Sequence, residues 1–444
     1  GFTFADVVSG AHSLSVLGNT AINGGSVTTT GKAQSYSGAV TLDQNTTLTG
    51  VGVSFGSTVQ GATSPRTLTV DSGAGNVIFG GALGGSNGFI SDVTVNSGGM
   101  TRFSAPVQVT SLQTNANGTV EINGATVTTT GTQIYGEVLT LGADTTLTAS
   151  QVTFADLVSG AHSLSVLGNT AINGGSVTTT GKAQSYSGAV TLGQDTTLTG
   201  STVSLGGNVT SSSGLSVVGN AIINASQVTT TGANQNYSGT VTLGADTTLT
   251  ASQVTFADVV SGAHSLSVLG NTAINGGSVT TTGKAQSYSG AVTLGQATTL
   301  TGSTVTFGGN VTSSSGLSVV GNAIINASQV TTTGANQNYS GTVTLGADTT
   351  LTASQVTFAD VVSGAHSLSV LGNTAINGGS VTTTGKAQSY SGAVTLGQNT
   401  TLTGVGVSFG STVQGTTSPR TLTVDSGEGN VIFGGALGGS NGFI

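Results

Sequence analysis

Apolar and hydroxyl-bearing residues alternate along most of this chain. In Val254-Thr255-Phe256, Leu266-Ser267-Val268 and Val292-Thr293-Leu294 every second side chain is apolar, the period of two that sends successive side chains to opposite faces of a strand. Thr, Val, Ile, Phe and Tyr dominate these runs, as pleated surfaces favour. Between them stand Gly270-Asn271, Gly276-Gly277 and Ser289-Gly290, pairs whose readiness to adopt positive φ marks turns. The pattern predicts strands of about four to six residues separated by corners of about two to four. Helix formers are too sparse, and glycines too regular, for a helical repeat.

The alternation is itself periodic. Phe256 falls on Phe307, Tyr288 on Tyr339, and Thr280-Thr281-Thr282 on Thr331-Thr332-Thr333, each 51 residues apart. The frame starts at Phe4 and Phe55, slips within a divergent stretch from 56 to 118, and then holds at Phe154, Leu205, Phe256, Phe307 and Phe358. Residues 355 to 444 copy residues 1 to 90 with five differences, among them Asp43 against Gly397 and Ala74 against Glu428, so a unit of 354 residues restarts at Gln355. Fixed self-similarity of this length means a stacked array. The expectation is one continuous array over 1–444.

Three all-β arrays contain several short strands per repeat. A propeller closes after four to eight blades, which a 48-residue insertion in mid-array and a restarting 354-residue unit oppose. Tandem sandwiches of about 100 residues would need the two halves of a 102-residue pair to differ more than they do. A parallel β-helix remains. Each repeat divides into about three coils, 254–271, 272–290 and 291–303, averaging about 17 residues, although a two-coil division also exists. The insertion would add about three coils of 16. About 26 coils at roughly 4.8 Å would make a rod of about 125 Å. Like residues, the phenylalanines included, are expected to stack along the axis, each buried side chain contributing about 1.5 to 3 kcal/mol. An inward Thr281 would cost about 1 to 3 kcal/mol unless its hydroxyl bonded a neighbouring coil or met water. Open coil ends are strand edges that call for caps, and none is evident at Gly1 or Ile444, so the chain reads as a window on a longer one, its export signal and anchor outside.

Composition narrows the function classes. Seven basic and fifteen acidic residues leave a net charge of -8, with no basic cluster for nucleic acid or an anionic membrane. No run of eighteen apolar residues predicts a membrane-spanning helix. The absence of cysteine removes disulfides, thiolate chemistry and Cys-based metal sites. With abundant Gly, Ser, Thr and Asn, it suits a large exported bacterial protein.

Each candidate for chemistry has a plainer structural reading. His12, His162, His264 and His366 follow Asp6, Asp156, Asp258 and Asp360 by six residues; such a pair could be half of a nucleophilic site or part of a metal set, but it recurs without a third partner and reads as a corner. Asp144, Asp246 and Asp348 in GADTTLT offer one carboxylate per repeat, too few oxygens for calcium, and read as turn residues bonding their own backbone. Tyr36, Tyr135, Tyr186, Tyr237, Tyr288, Tyr339 and Tyr390, each within two residues after a glutamine, could form a sugar-binding row, against a packing role. Thr-x-Thr runs could bind ice or a crystalline polysaccharide, though Thr also suits any solvent-facing strand. A lyase or hydrolase groove would need a non-repeated charged cluster, but Arg66, Asp71, Asp92, Arg102 and Glu121 are scattered, and Arg66 and Asp71 recur as Arg420 and Asp425. No catalytic, cofactor-binding or metal-binding residue is therefore assigned.

The units NYSGTVTLGADTTLTASQVTF (236 to 256) and QSYSGAVTLGQNTTLTGVGVSF (388 to 409) resemble the repeats of filamentous haemagglutinin-like exoproteins, the large bacterial adhesins exported by two-partner secretion. The resemblance covers nearly the whole chain, least clearly 56–118. It implies a right-handed parallel β-helix, an extracellular or cell-surface location, and a non-catalytic role in adhesion or filament formation. Implied partners are further copies of the chain, end to end or side by side, and glycans or neighbouring cell surfaces. The family's amino-terminal secretion domain has no counterpart here.

Overall fold

The structure, a computed structural model, describes residues 1–87, 89–115, 117–439 and 444; Gly88 and Ala116 in the divergent stretch, and 440–443, lie outside the description. Two compact units are present, Gly1–Asn220 and Ala221–Ile444. Each is a parallel β-solenoid, and the described residues contain no helix. The all-β solenoid of tandem repeats expected from the alternation is what forms.

Three sides make each turn. In the first unit one side stacks Phe2–Phe4, Thr20–Ile22, Val40–Leu42 and Val59–Gly61. The next stacks Val8–Gly10, Ser26–Thr29 and Thr46–Thr49. The third stacks Leu14–Val16, Gln34–Tyr36, Val53–Phe55 and Val77–Phe79. Every one of these strands pairs in parallel with the third strand after it, so from the second turn on its backbone groups bond one turn down and one turn up, and its alternate side chains fill the interior. Val40 and Leu42 are fully buried while Thr41 between them reaches the surface. Corners need glycine where backbones crowd. A Cβ on Gly276 would lie 2.0 Å from the carbonyl carbon of Asp258 one turn below, and Gly277 beside it holds φ at +76°, as its equivalent Gly379 does at +75°.

The turn holds about 19 residues, giving about 22 turns against the 26 of about 17 that the sequence suggested. One repeat therefore advances two and two-thirds turns. Phe256 stands beneath Ile274, then Leu294, then Ser313, whereas Phe307 stands over Tyr288, Val268 and Leu249 on a different side. Phe358 stands over Tyr339, Val319 and Leu300, on the third. Only Phe409 returns to the side of Phe256, after the eight pairings that link Val254 to Phe409. Equivalent phenylalanines thus do not line up, contrary to expectation. The reason is closure: three sides and their corners set the length of a turn, and the length of the repeat does not enter.

What stacks instead is the phenylalanine of one repeat on the tyrosine of the previous one. Tyr237–Phe256, Tyr288–Phe307, Tyr339–Phe358 and Tyr390–Phe409 are parallel ring pairs with centroids 5.8, 6.2, 5.8 and 5.6 Å apart, within the range where offset stacking adds to burial. The insertion forms two wider turns rather than three narrow ones, with Val53 pairing with Val77 and Val77 with Thr101. The extra residues swell the corners between Gly61 and Arg66 and between Gly84 and Ile90. The interior is undisturbed, and Tyr36, Phe55, Phe79 and Phe103 form one four-ring stack at 5.6, 5.0 and 5.3 Å.

Phe79 has a ring above and a ring below. Replacing it with alanine is expected to cost about 3 to 5 kcal/mol, read as a lowered urea midpoint, while the outward Ser54→Ala on the adjoining turn should shift stability by about 0.5 kcal/mol or less. Equal effects of the two substitutions would contradict the stacked interior.

Candidate functional site

The corner histidines take a different partner from the one their sequence neighbourhood suggests. Asp156 turns to its own backbone and accepts the Leu157 N–H at 2.7 Å, as Asp258 and Asp360 do with Val259 and Val361. The carboxylate beside His162 is Asp144, one turn below, with Nδ1 3.6 Å from Oδ1; the pairs His264–Asp246 and His366–Asp348 repeat the distance. Asp144 is therefore not the self-bonding turn residue expected. It accepts the Ser163 N–H of the next turn at 2.8 Å, and this bond chiefly holds its carboxyl below the ordinary range, with smaller contributions from the nearby His162 and Lys182 side chains. Asp246 and Asp348 are held down by the same contact from Ser265 and Ser367. Among the described residues no group of three or more His, Cys, Asp or Glu could hold a metal ion.

The tyrosines are interior residues, which removes them from any surface row. All seven are buried, and each is tied to the buried glutamine two residues before it. Tyr288 donates its hydroxyl to Gln286 Oε1 at 2.9 Å, while Gln286 Nε2 donates to the carbonyls of Val279 and Thr301, both at 2.8 Å. Both donor sites of the amide are used, as a buried side chain requires. Burial pushes the Tyr288 hydroxyl far above its ordinary pKa, so it stays a donor. Thr281 satisfies its hydroxyl mainly within its own corner, donating to Lys284 O at 2.9 Å, with Thr301 O of the neighbouring turn, the kind of partner expected, only at 3.5 Å.

Outward threonines stack in short ladders, as Thr293, Thr312, Thr331 and Thr352 do on one side, while the Thr-x-Thr strands are more mixed. Thr299 and Thr301 stand over Ser278 and Thr280 and under Ser318 and Val320, because the next Thr-x-Thr strand of the array falls on another side.

The charges of this region line no common groove, and three of them take separate partners. Arg102 pairs with Glu121 at 2.8 Å, Asp71 accepts Asn96 Nδ2 at 2.6 Å, and Asp92 accepts the Ser111 hydroxyl at 2.6 Å. Arg66 opens the strand after the swollen corner, its backbone N–H on Phe89 O at 3.0 Å and its buried Nε without a hydrogen bond. A shallow hollow beside this corner, lined by Gly85, Ser86, Gln108, Val109, Thr110 and Thr130, contains no ionisable side chain.

Glu137 escapes a search for motifs. Tyr135-Gly136-Glu137 takes the place of Tyr186-Ser187-Gly188, so a carboxylate points inward where another copy keeps glycine because a Cβ on Gly188 would lie 2.5 Å from Gly168. Glu137 is 2% exposed, and neither oxygen makes a hydrogen bond. A charge at a glycine position, a feature shared with Asp43 against Gly397, was the available signal.

No protein-family description, curated protein or solved structure matches this chain. Its class is set by its own geometry: a three-sided parallel β-solenoid of tandem repeats. No helix among the described residues is long and apolar enough to cross a membrane.

Burial pushes the Glu137 carboxyl up to about 7, from 4.5. Between those values the folded state holds a proton that the unfolded chain has released, so stability falls as pH rises through that window and levels off above it. The expected loss is on the order of 2 to 3 kcal/mol. Denaturation midpoints from pH 4.5 to 8.5 should show this decline for the native chain and its absence in Glu137→Gln.

Proposed function

We propose that this chain is a structural and adhesive segment of a large bacterial cell-surface or extracellular protein, a non-catalytic β-helical stalk. The observation that carries the reading is the advance of two and two-thirds turns per repeat. It distributes each repeated surface residue over three sides, so that added copies extend the stack without enlarging any one binding face. The repeated interior, with its Gln–Tyr bond and Tyr–Phe ring pair, serves stacking alone. The resemblance of 236–256 and 388–409 to haemagglutinin-like repeats supports export to the surface and a role in contact with glycans or other cells.

A carbohydrate- or ice-binding face is the competing reading. It is weakened by the buried tyrosines, and its outward threonine ladder, Thr293, Thr312, Thr331 and Thr352, spans only four turns.

Negative-stain microscopy of the purified chain is expected to show thin, straight particles, and compact globules would overturn the stalk. Thermal hysteresis should be absent; its presence in the native chain, lost on replacing outward threonines, would favour the competing face. Antibody labelling of intact producing cells should find the chain at the surface or in the medium.

A further inference from the structure

Charge is scarce in the regular repeats, and the positive charge is gathered at one kind of place. Between Arg102 and Arg420 the lysines are Lys182, Lys284 and Lys386, with no arginine. Each tops the same three-turn column. Asp144 stands at a corner, His162 lies over it at 3.6 Å, and Lys182 occupies that corner one turn further on, since Gly160 registers with Thr179 and Leu164 with Gln184. Asp246–His264–Lys284 and Asp348–His366–Lys386 repeat the column.

The side that begins at this corner has a second marked edge. In the histidine turn it ends on an exposed leucine: Leu167, Leu269 or Leu371, 43 to 45% exposed. Between the two edges the outward residues are small and uncharged. In the first copy they are Thr146 and Thr148 in the aspartate turn, Ser165 in the histidine turn and Ser185 in the lysine turn.

We propose that each such patch docks the same patch of a second copy of the chain lying antiparallel across it. A twofold axis along the histidine strand, from His162 to Leu167, reverses the stacking direction and keeps each edge on its own side. Asp144 then meets Lys182 of the second copy, and Lys182 meets its Asp144. Leu167 meets Leu167, and the hydroxyl surface between them meets itself. The patch is self-complementary, as an isologous contact must be. A parallel pair, whose axis runs along the stack, sets the charged edge against the leucine edge and leaves every charge unmatched. Charge pattern therefore selects the antiparallel arrangement, by attraction in one and unpaired desolvation in the other. The pairing requires neither export nor adhesion, so it stands apart from the stalk reading.

The test uses the full chain in sedimentation equilibrium, with circular dichroism confirming the fold of each variant. The native chain is expected to self-associate in low salt, with association weakened about tenfold or more by high salt, since the paired charges are exposed. Changing Lys182, Lys284 and Lys386 together to Glu, or Asp144, Asp246 and Asp348 together to Lys, should abolish association in each variant alone, and an equimolar mixture should restore it. The chain lacks cysteine, so Ser165→Cys, Ser267→Cys and Ser369→Cys, each on the axis of its own patch, should oxidise to covalent dimers. A native monomer at all concentrations, undiminished association of both charge variants, or a mixture that stays monomeric would each overturn the proposal. So would association that none of the three cysteine variants links.

Discussion

A side chain in this fold packs on what stands about one turn away along the chain, not on its counterpart in the next repeat. Parallel strands one turn apart share their backbone hydrogen bonds, so the interior is filled turn by turn, and each inward residue must suit whatever the previous turn presents. Because the repeat is not a whole number of turns, it has to fit itself at an offset. Tyrosine under phenylalanine and valine under valine are pairings between different positions of the unit. The repeat is in this sense a key cut to fit its own lock one-third of a turn round.

The same constraint explains the polar interior. A glutamine and a phenol inside a narrow solenoid would each cost free energy if left without partners, yet the corner after the Thr-Thr strand leaves two carbonyls, those of Val279 and Thr301 in one copy, where the amide can reach both. The amide ties two turns together across that corner, and the phenol completes its oxygen. Glu137 lacks any such arrangement, so burial dominates the state of this interior carboxyl, with Thr114 and the backbone opposing it only in part. Polar burial is cheap here only where the repeat supplies the partner.

Much of this was legible in the chain, and the rest was hidden for identifiable reasons. Alternation in Val292-Thr293-Leu294 and glycine at Gly276-Gly277 specify short strands and tight corners, and the repeat period specifies stacking. Turn length was misread because the period divides evenly by three, whereas closure of three sides is set by strand and corner geometry. Two kinds of interval did encode it: the one from Tyr288 to Phe307 in the regular turns, and the longer ones from Phe55 to Phe79 and from Phe79 to Phe103 in the wide turns. The histidines were matched to Asp156 and its equivalents because those lie near in sequence, while the stack makes Asp144, a full turn earlier, the neighbour in space. Local reading fails wherever contact depends on how far the chain travels before it returns to the same side.

Tandem arrays gain and lose copies when identical stretches misalign during recombination. Within one unit, each regular copy deleted or duplicated would change the length and also index the rest of that unit by a third of a revolution about its stacking axis. Gains and losses in threes would leave the outlying surface facing as before, and any other number would turn it toward a new neighbour. Copy number in this chain is thus an angular setting as well as a linear one, and the two wide turns, being whole turns, are the one insertion in it that adds height without rotation.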